Sequence, residues 1–324
     1  MMKAVFCEQP GPPESLVIRD IDVPEIGDDE VLVEMKAAGV SFVDVLMVAG
    51  EYQVKPEMPF IPGQEGGGVI QEVGANVKGV KPGDRVMTSH PPGAFAEYAA
   101  LHASRVTPIP DNMDFAQAAS FRSNYTTSYL ALDRARLQPG EVLLVHGAAG
   151  GVGLAAVHLG KLRGATVIAT ASDDEKLKVV KDEGADHVIN YSNGFRDQVK
   201  ELTGGKGADV IYDPVGGDVF DESMRCINYL GRILIIGFTG GRPALAKTNH
   251  LLIKDATAIG MTVGSFSAHE PEKAKQNFEE LMKLVEDGKI SPYVSHRLQL
   301  DKVAAAMNPL ETRTGTGQAG RPPT

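Results

Sequence analysis

The feature that most constrains this chain is a glycine-rich turn between a strand-like run and a helix-like run. Val142-Leu-Leu-Val-His-Gly passes without a linker into Ala148-Ala-Gly-Gly-Val-Gly and then Leu154-Ala-Ala-Val-His-Leu-Gly-Lys. The pattern Ala148-x-Gly150-x-x-Gly153 is a dinucleotide fingerprint with its first glycine replaced by alanine. Gly150 lets backbone approach a pyrophosphate, Gly153 lets helix and strand pack closely, and the helix N-terminus offers amides and a positive dipole to an anion. A glycine-rich turn with no ligand is the alternative.

The same alternation of strand and helix runs through the rest of this region. From about residue 111, continuous Val/Ile/Leu runs (VLLVHG, TVIAT, HVIN, ADVIYDPV, RILIIGF, ATAIGMT) alternate with helical stretches from Gly151 to Arg163, DDEKLKVVKDEG, FRDQVKELTGG and DVFDESMRCINYLG. Strands apolar on both faces suit a parallel sheet covered by helices, and a glycine at the helix ends permits the left-handed turn back. The expectation is an α/β fold with a doubly wound, six-stranded parallel sheet. The first 110 residues read differently, as short β-branched runs broken by Gly and Pro, with one helix over Val43 to Val48. That punctuation predicts a compact antiparallel β domain. An amphipathic helix, PEKAKQNFEELMKLVEDGK, then Val294 to Leu300 and a short helix from Asp301 are expected to return to that domain. The boundaries predicted are 1–122, 123–265 and 266–324.

Composition narrows the partners. Thirty-two Lys+Arg against 42 Asp+Glu leave a formal charge of −10, which disfavours nucleic acid and anionic membranes. The most apolar tract, Val142 to Leu162, is broken by His146, His158, Lys161 and five glycines, so no membrane span is expected. Two cysteines suit a reducing compartment, and the N-terminus lacks a secretory apolar core, so the expected location is cytoplasmic.

The end of the second strand bears on the cofactor. A carboxylate there would accept the ribose 2′-OH of NAD, but the residues are Ala171 and Ser172. Lys176 in the next helix can reach a 2′-phosphate, and Tyr191 can cover the adenine or bond the same phosphate. NADPH is therefore expected, with Lys176 as an exposed helix lysine and Tyr191 as ordinary packing the alternatives. Asp173 and Asp174 are read as helix-capping acids; if either turned inward, the preference would fail.

These residues resemble the zinc-free quinone oxidoreductase (zeta-crystallin-like) branch of the medium-chain dehydrogenase/reductase superfamily. The likeness covers nearly the whole chain, through segments such as EVLVEMKAAGVSFVDVLMVAGEYQ, GQEGGGVIQEVG, KPGDRV, LLVHGAAGGVGLAAVHLGK, GADHVINY and YDPVGG. It implies a GroES-like β domain beside a Rossmann domain, NADPH in the cleft between them, and dimers or tetramers; a homodimer is expected. Zinc-dependent relatives place Cys where this chain has Ser41 and His where it has Gln64, so zinc-independent chemistry and no metal site are expected. What remains is hydride transfer to an electrophilic acceptor. NADPH-dependent reduction of a quinone is the leading reading, with an enoyl or acrylyl thioester or enone reductase second and a low-turnover structural or regulatory NADPH-binding protein third.

For the site, the resemblance implies catalytic roles for Tyr52 and, with less support, Ser41, which stands where relatives have Asn. Tyr52 has packing at a loop edge as its alternative. Asp44 reads as a helix-start residue and Glu65 as a partner holding the glycine loop. Thr127 matches a threonine near the nicotinamide ribose, while Phe238, Thr239, Val263 and Ser265 are expected to border the nicotinamide. With Gly150, Gly151, Val152, Ser172, Lys176 and Tyr191 they form the expected cofactor set. Arg122 is read as an ion-pair residue or an anion binder. The tail from Thr316 departs from the family's final strand, which makes an edge strand there doubtful.

Overall fold

The computed structural model describes residues 1–311 and 318–321; part of the tail singled out above, 312–317 and 322–324, lies outside the described residues. The chain divides into two units, the first comprising Met1–Arg122 and the chain from Ser291 onward, the second Ser123–Ile290. Residues 266–290, including the amphipathic helix Pro271–Glu286, thus lie in the second unit rather than in the terminal return. The helix buries Leu281 and Val285 there, so its apolar stripe is used close to where the chain makes it.

The first unit is built on antiparallel pairing. Its long strand Glu30–Val40 alternates buried and half-buried residues and pairs with Glu65–Val73, which pairs with Arg85–Ser89. The register sets Gly39 opposite Glu65 and Glu65 opposite Ser89. Three neighbouring strands therefore end side by side just before Ser41, at Glu65 and just before His90. Glycine is needed in the middle strand because a Cβ on Gly67 would sit 2.6 Å from the Phe115 carbonyl oxygen. A short strand Gln318–Arg321 pairs antiparallel with Ala38–Val40 and parallel with Val294–His296, so the tail does form a strand, inside the sheet rather than at its edge. Backbone pairing, which tolerates any sequence that is not Pro, is enough to form it.

The second unit is the expected parallel sheet. Its strand order is His187–Asn190, Thr166–Ala171, Val142–Val145, Ala208–Asp213, Ile227–Ile235, Thr257–Gly260, every pair parallel. The order reverses at Val142–Val145, the first strand of the unit, and ligands bind at such switch points. One element differs from the expectation. The helix expected through Gly231 stops at Ser223, and Ile227–Ile235 is already strand. Ile227 is buried against Ala208, while Leu230 takes φ 56 at an irregularity that lets the strand begin early. Helices Phe115–Ala118, Arg122–Arg134 and Thr248–Lys254 were not anticipated.

Candidate active site

In the second unit the strand Val142–Val145 delivers its chain end to the glycine turn, and the helix Gly151–Leu162 begins at once with Gly150 as a side-chain-less cap. With no side chain satisfying them, the first-turn amides are left for an anion. A Cβ on Gly153 would lie 2.4 Å from the Gly147 oxygen and 2.7 Å from the Ala148 Cα, so only glycine lets the helix sit this close to the turn. A Cβ on Gly151 would meet the Asn124 side chain at 2.5 Å, which places Asn124 over the same helix start.

The helix Arg122–Arg134, which carries Thr127, is tied to this turn. Tyr212 donates to Ser128, whose hydroxyl donates to the Val152 carbonyl, at 2.9 and 2.8 Å. Tyr125 shares 2.7 Å with His158 Nδ1, and His158 Nε2 lies 2.7 Å from Glu183. Beneath the turn, His146 is fully buried between Thr170 and Ser223, each at 2.8 Å. Ser223 donates its proton to the Val219 carbonyl, so His146 Nε2 must carry hydrogen and Nδ1 must accept from Thr170. Burial pushes this ring down to about 3, and it stays neutral.

At the end of strand Thr166–Ala171, Lys176 is buried with its ammonium 3.3 Å from Ser172 Oγ. Asp173 caps the next helix by accepting from the Lys176 amide at 2.9 Å and also turns its other oxygen to the Lys176 ammonium at 3.4 Å. Its slight burial works against the charge, but the bonds from Lys176 hold the carboxyl below the usual range. Asp174 instead accepts from Asn190. Tyr191 opens the short turn Tyr191–Asn193, whose Ser192 hydroxyl donates to the Ser172 carbonyl at 2.9 Å. The structure thus brings Ser172, Lys176 and the Tyr191 turn together, and Gly150, Gly151 and Val152 form the adjacent helix start. Thr239 donates through amide and hydroxyl to the Pro214 carbonyl, both at 3.0 Å, beside exposed Phe238. Val263 and Ser265 open a separate helix, with the Ser265 amide capped by Thr262.

In the first unit Ser41 and Asp44 form a capping box on helix Phe42–Val48. Asp44 Oδ2 takes both the Ser41 amide at 2.8 Å and the Ser41 hydroxyl at 2.7 Å. Burial raises the Asp44 carboxyl to about 6 against the opposing pull of those bonds. Tyr52 is half-buried and packs on the cluster holding Val45, Met47 and Phe95. Gln64 Nε2 approaches Met47 Sδ at 3.6 Å, and half-buried Arg122, whose desolvation lowers its guanidinium, feels the opposing charge of Glu65. His90, which the sequence does not single out, follows directly on the strand Arg85–Ser89, two positions after Thr88.

Among the described residues, no group of three or more His, Cys, Asp or Glu lies where it could share a metal ion. With Ser41 and Gln64 at the positions in question and both cysteines buried free thiols turned to backbone carbonyls, Cys7 to Gln9 and Cys226 to Ser223, the donor set does not fit zinc. It does fit a dinucleotide: an uncapped helix start, glycines that a Cβ would fill and a buried lysine at the neighbouring strand end.

Residues 27–111 match the family described as alcohol dehydrogenase GroES-like domain, and residues 151–287 that described as zinc-binding dehydrogenase. Among curated proteins, the chain is similar to "quinone oxidoreductase-like protein 2 homolog" of Nematostella vectensis, 39% identical over 98% of this chain and 87% of that protein. It is also 36% identical to a quinone oxidoreductase of Pseudomonas aeruginosa over 98% of each. Among solved structures, a probable oxidoreductase from Mycobacterium abscessus superposes with TM-score 0.91 at 37% identity, covering 99% of both chains. Escherichia coli quinone oxidoreductase complexed with NADPH superposes with TM-score 0.89 at 29% identity, covering 99% of this chain and 100% of that one.

Proposed function

Because the chain belongs to the quinone oxidoreductase branch of the medium-chain dehydrogenase/reductase superfamily, we propose that it is an NADPH-dependent, zinc-independent reductase of quinones. The observation that carries the cofactor half is Lys176, buried at a strand end that closes on Ala171 and Ser172 instead of an acid. The solved Escherichia coli relative with NADPH supports the same reading.

When bound, the reduced nicotinamide supplies a hydride, two electrons with one hydrogen nucleus. The chain's own residues bind and orient. The amides of Gly151 and Val152 at the uncapped helix start take the pyrophosphate. Lys176 and Ser172 take the 2′-phosphate, with Tyr191 alongside. Thr127, Phe238, Thr239, Val263 and Ser265 are the residues assigned to the nicotinamide end. In the first unit the Tyr52 phenol is assigned to orient the acceptor's carbonyl. No Lewis acid is required, because a quinone is already electrophilic and its reduced anion is protonated by solvent. A homodimer and a cytoplasmic setting complete the proposal; among the described residues, no helix is long and apolar enough to cross a membrane.

The test is a parallel screen of a quinone, an enone and an enoyl thioester with NADPH, followed by loss of reduced-cofactor absorbance. Quinone reduction at the highest kcat/KM supports the reading. Faster enoyl thioester reduction would move the function to that class.

A further inference from the structure

Four side chains stand at the strand-end edge of the first unit that carries Ser41, Gln64 and His90, and they differ in what they can still offer a ligand. The single proton of the Ser41 hydroxyl is given to Asp44. The Gln64 amide leans on a methionine sulfur. Tyr52 lies in the loop after helix Phe42–Val48. His90 is held tightly: its amide donates to the Gln64 carbonyl at 2.7 Å, and the amides of Gly93 and Ala94 grip the Gly63 carbonyl at 2.9 and 3.0 Å.

The His90 ring is buried, at 8% exposure, and its Nε2 lies 2.7 Å from Oγ1 of buried Thr88. Among the described residues this is the one side-chain bond of Thr88. If Nε2 carried the hydrogen, the Thr88 hydroxyl would be buried with no acceptor, an uncompensated desolvation. Thr88 therefore donates, Nε2 accepts, and the ring hydrogen sits on Nδ1. Nδ1 makes no protein hydrogen bond among the described residues and keeps contact with solvent, 3.5 Å from where a Cβ on Gly93 would lie. Burial first, then the positive charge of Arg105, pushes the ring down to about 3, which keeps it neutral. A fixed, uncharged N–H donor thus stands beside Gly93, on the edge where Ser41 has no proton left to give.

We propose that His90 is a catalytic residue, its Nδ1–H donating to the quinone oxygen that becomes negative as hydride arrives, and that Thr88 is the positioning residue that fixes this tautomer. The inference rests on the quinone reductase reading. The step balances: hydride leaves the nicotinamide oxidised and the quinone as its hydroquinone monoanion, His90 keeps its proton, and solvent supplies the one that completes the hydroquinone. A neutral donor aimed at developing charge costs no reorganisation and stabilises the anion selectively.

The experiment compares wild type with His90→Leu, His90→Gln and Thr88→Val in quinone turnover and NADPH affinity, with histidine ring nitrogens observed by ¹⁵N NMR. His90→Leu is expected to lower kcat by roughly 10²-fold with NADPH affinity unchanged. His90→Gln, which keeps an N–H, should recover most of that loss. Thr88→Val should lower kcat less and move the ring hydrogen between nitrogens. Wild-type NMR should report hydrogen on Nδ1, its signal shifting when a quinone is added to protein saturated with oxidised cofactor. Hydrogen on Nε2, or turnover in His90→Leu within twofold of wild type, overturns the role of His90 alone. Wild type that reduces no quinone overturns the functional reading and this role with it.

Discussion

At the scale of single residues, Lys176 and Asp173 decide the cofactor preference between them. A charge-assisted bond from Lys176 to a 2′-phosphate contributes about 1.5–3 kcal/mol, so Lys176→Ala should weaken NADPH by roughly 10- to 100-fold and leave NADH nearly unchanged. Asp173 shares that ammonium at 3.4 Å. Asp173→Asn keeps a good helix cap and removes the competing charge, so NADPH should bind roughly three- to tenfold tighter. Calorimetric titration of both cofactors into both variants checks the pair; equal changes for NADPH and NADH would sink the assignment. Tyr52→Phe, which removes only the hydroxyl, should lower quinone kcat/KM by less than roughly tenfold, the limit of one ordinary hydrogen bond. Any enone activity should fall further, because an enolate needs a positioned acid. The sequence placed Lys176 in the helix after the strand, within reach of the strand end, but could not say where Asp173 turned, since a capping acid has two oxygens and one is left to its surroundings. His90 was invisible for a related reason: its donor exists because Thr88 is buried, and burial is a property of the fold.

At the scale of elements, the glycine turn is where local sequence and packing agree most closely. The strand, the turn and the helix were legible because each needs a residue type the others exclude. The two glycines differ in what a methyl would strike. At Gly153 it meets backbone of Gly147 and Ala148, which cannot move without parting helix from strand, while at Gly151 it meets the side chain of Asn124. Gly153→Ala should therefore cost about 1–3 kcal/mol of stability and much of the NADPH affinity, and Gly151→Ala clearly less stability. Denaturant melts of both variants measure this, and equal destabilisation would contradict it. The helix misread past Ser223 shows the limit of periodicity. Ser-Met-Arg-Cys-Ile-Asn-Tyr-Leu fits a helix face, but pairing of Ile227 with Ala208 draws the segment into the sheet. The short helices Phe115–Ala118 and Thr248–Lys254 carry too few turns to show a period at all.

At the scale of the whole molecule, buried titratable groups set the response to acid. His90 and His146 take up protons near 6.5 in the unfolded chain and near 3 when folded, so stability present above about pH 6.5 is lost as pH falls toward 3. Asp44 runs the other way: its folded value of about 6 lies above the ordinary 3.8, so its contribution is present below about 4 and fades as pH rises through 6. Asp213, also raised by burial, sides with Asp44, while Asp114, Glu141 and Asp186, held low by their partners, side with the histidines, so the melting temperature should fall as pH drops from about 6.5 toward 3. Ring NMR should find both histidines unprotonated near pH 5; a melting temperature that rises on acidification would contradict the burial argument. The two-unit organisation was legible from the change of rhythm near residue 111, whereas the point of return at Ser291 was not, because an amphipathic helix does not reveal which surface its stripe covers. The account's central claim joins cofactor, acceptor and absence of zinc. Its most direct test is quinone reduction by protein dialysed against a strong chelator, with metal content assayed in the same sample and NADPH compared with NADH. The account predicts undiminished turnover without stoichiometric metal and a kcat/KM at least roughly tenfold higher with NADPH. Turnover lost with zinc and restored by it, or no preference for NADPH, would contradict it.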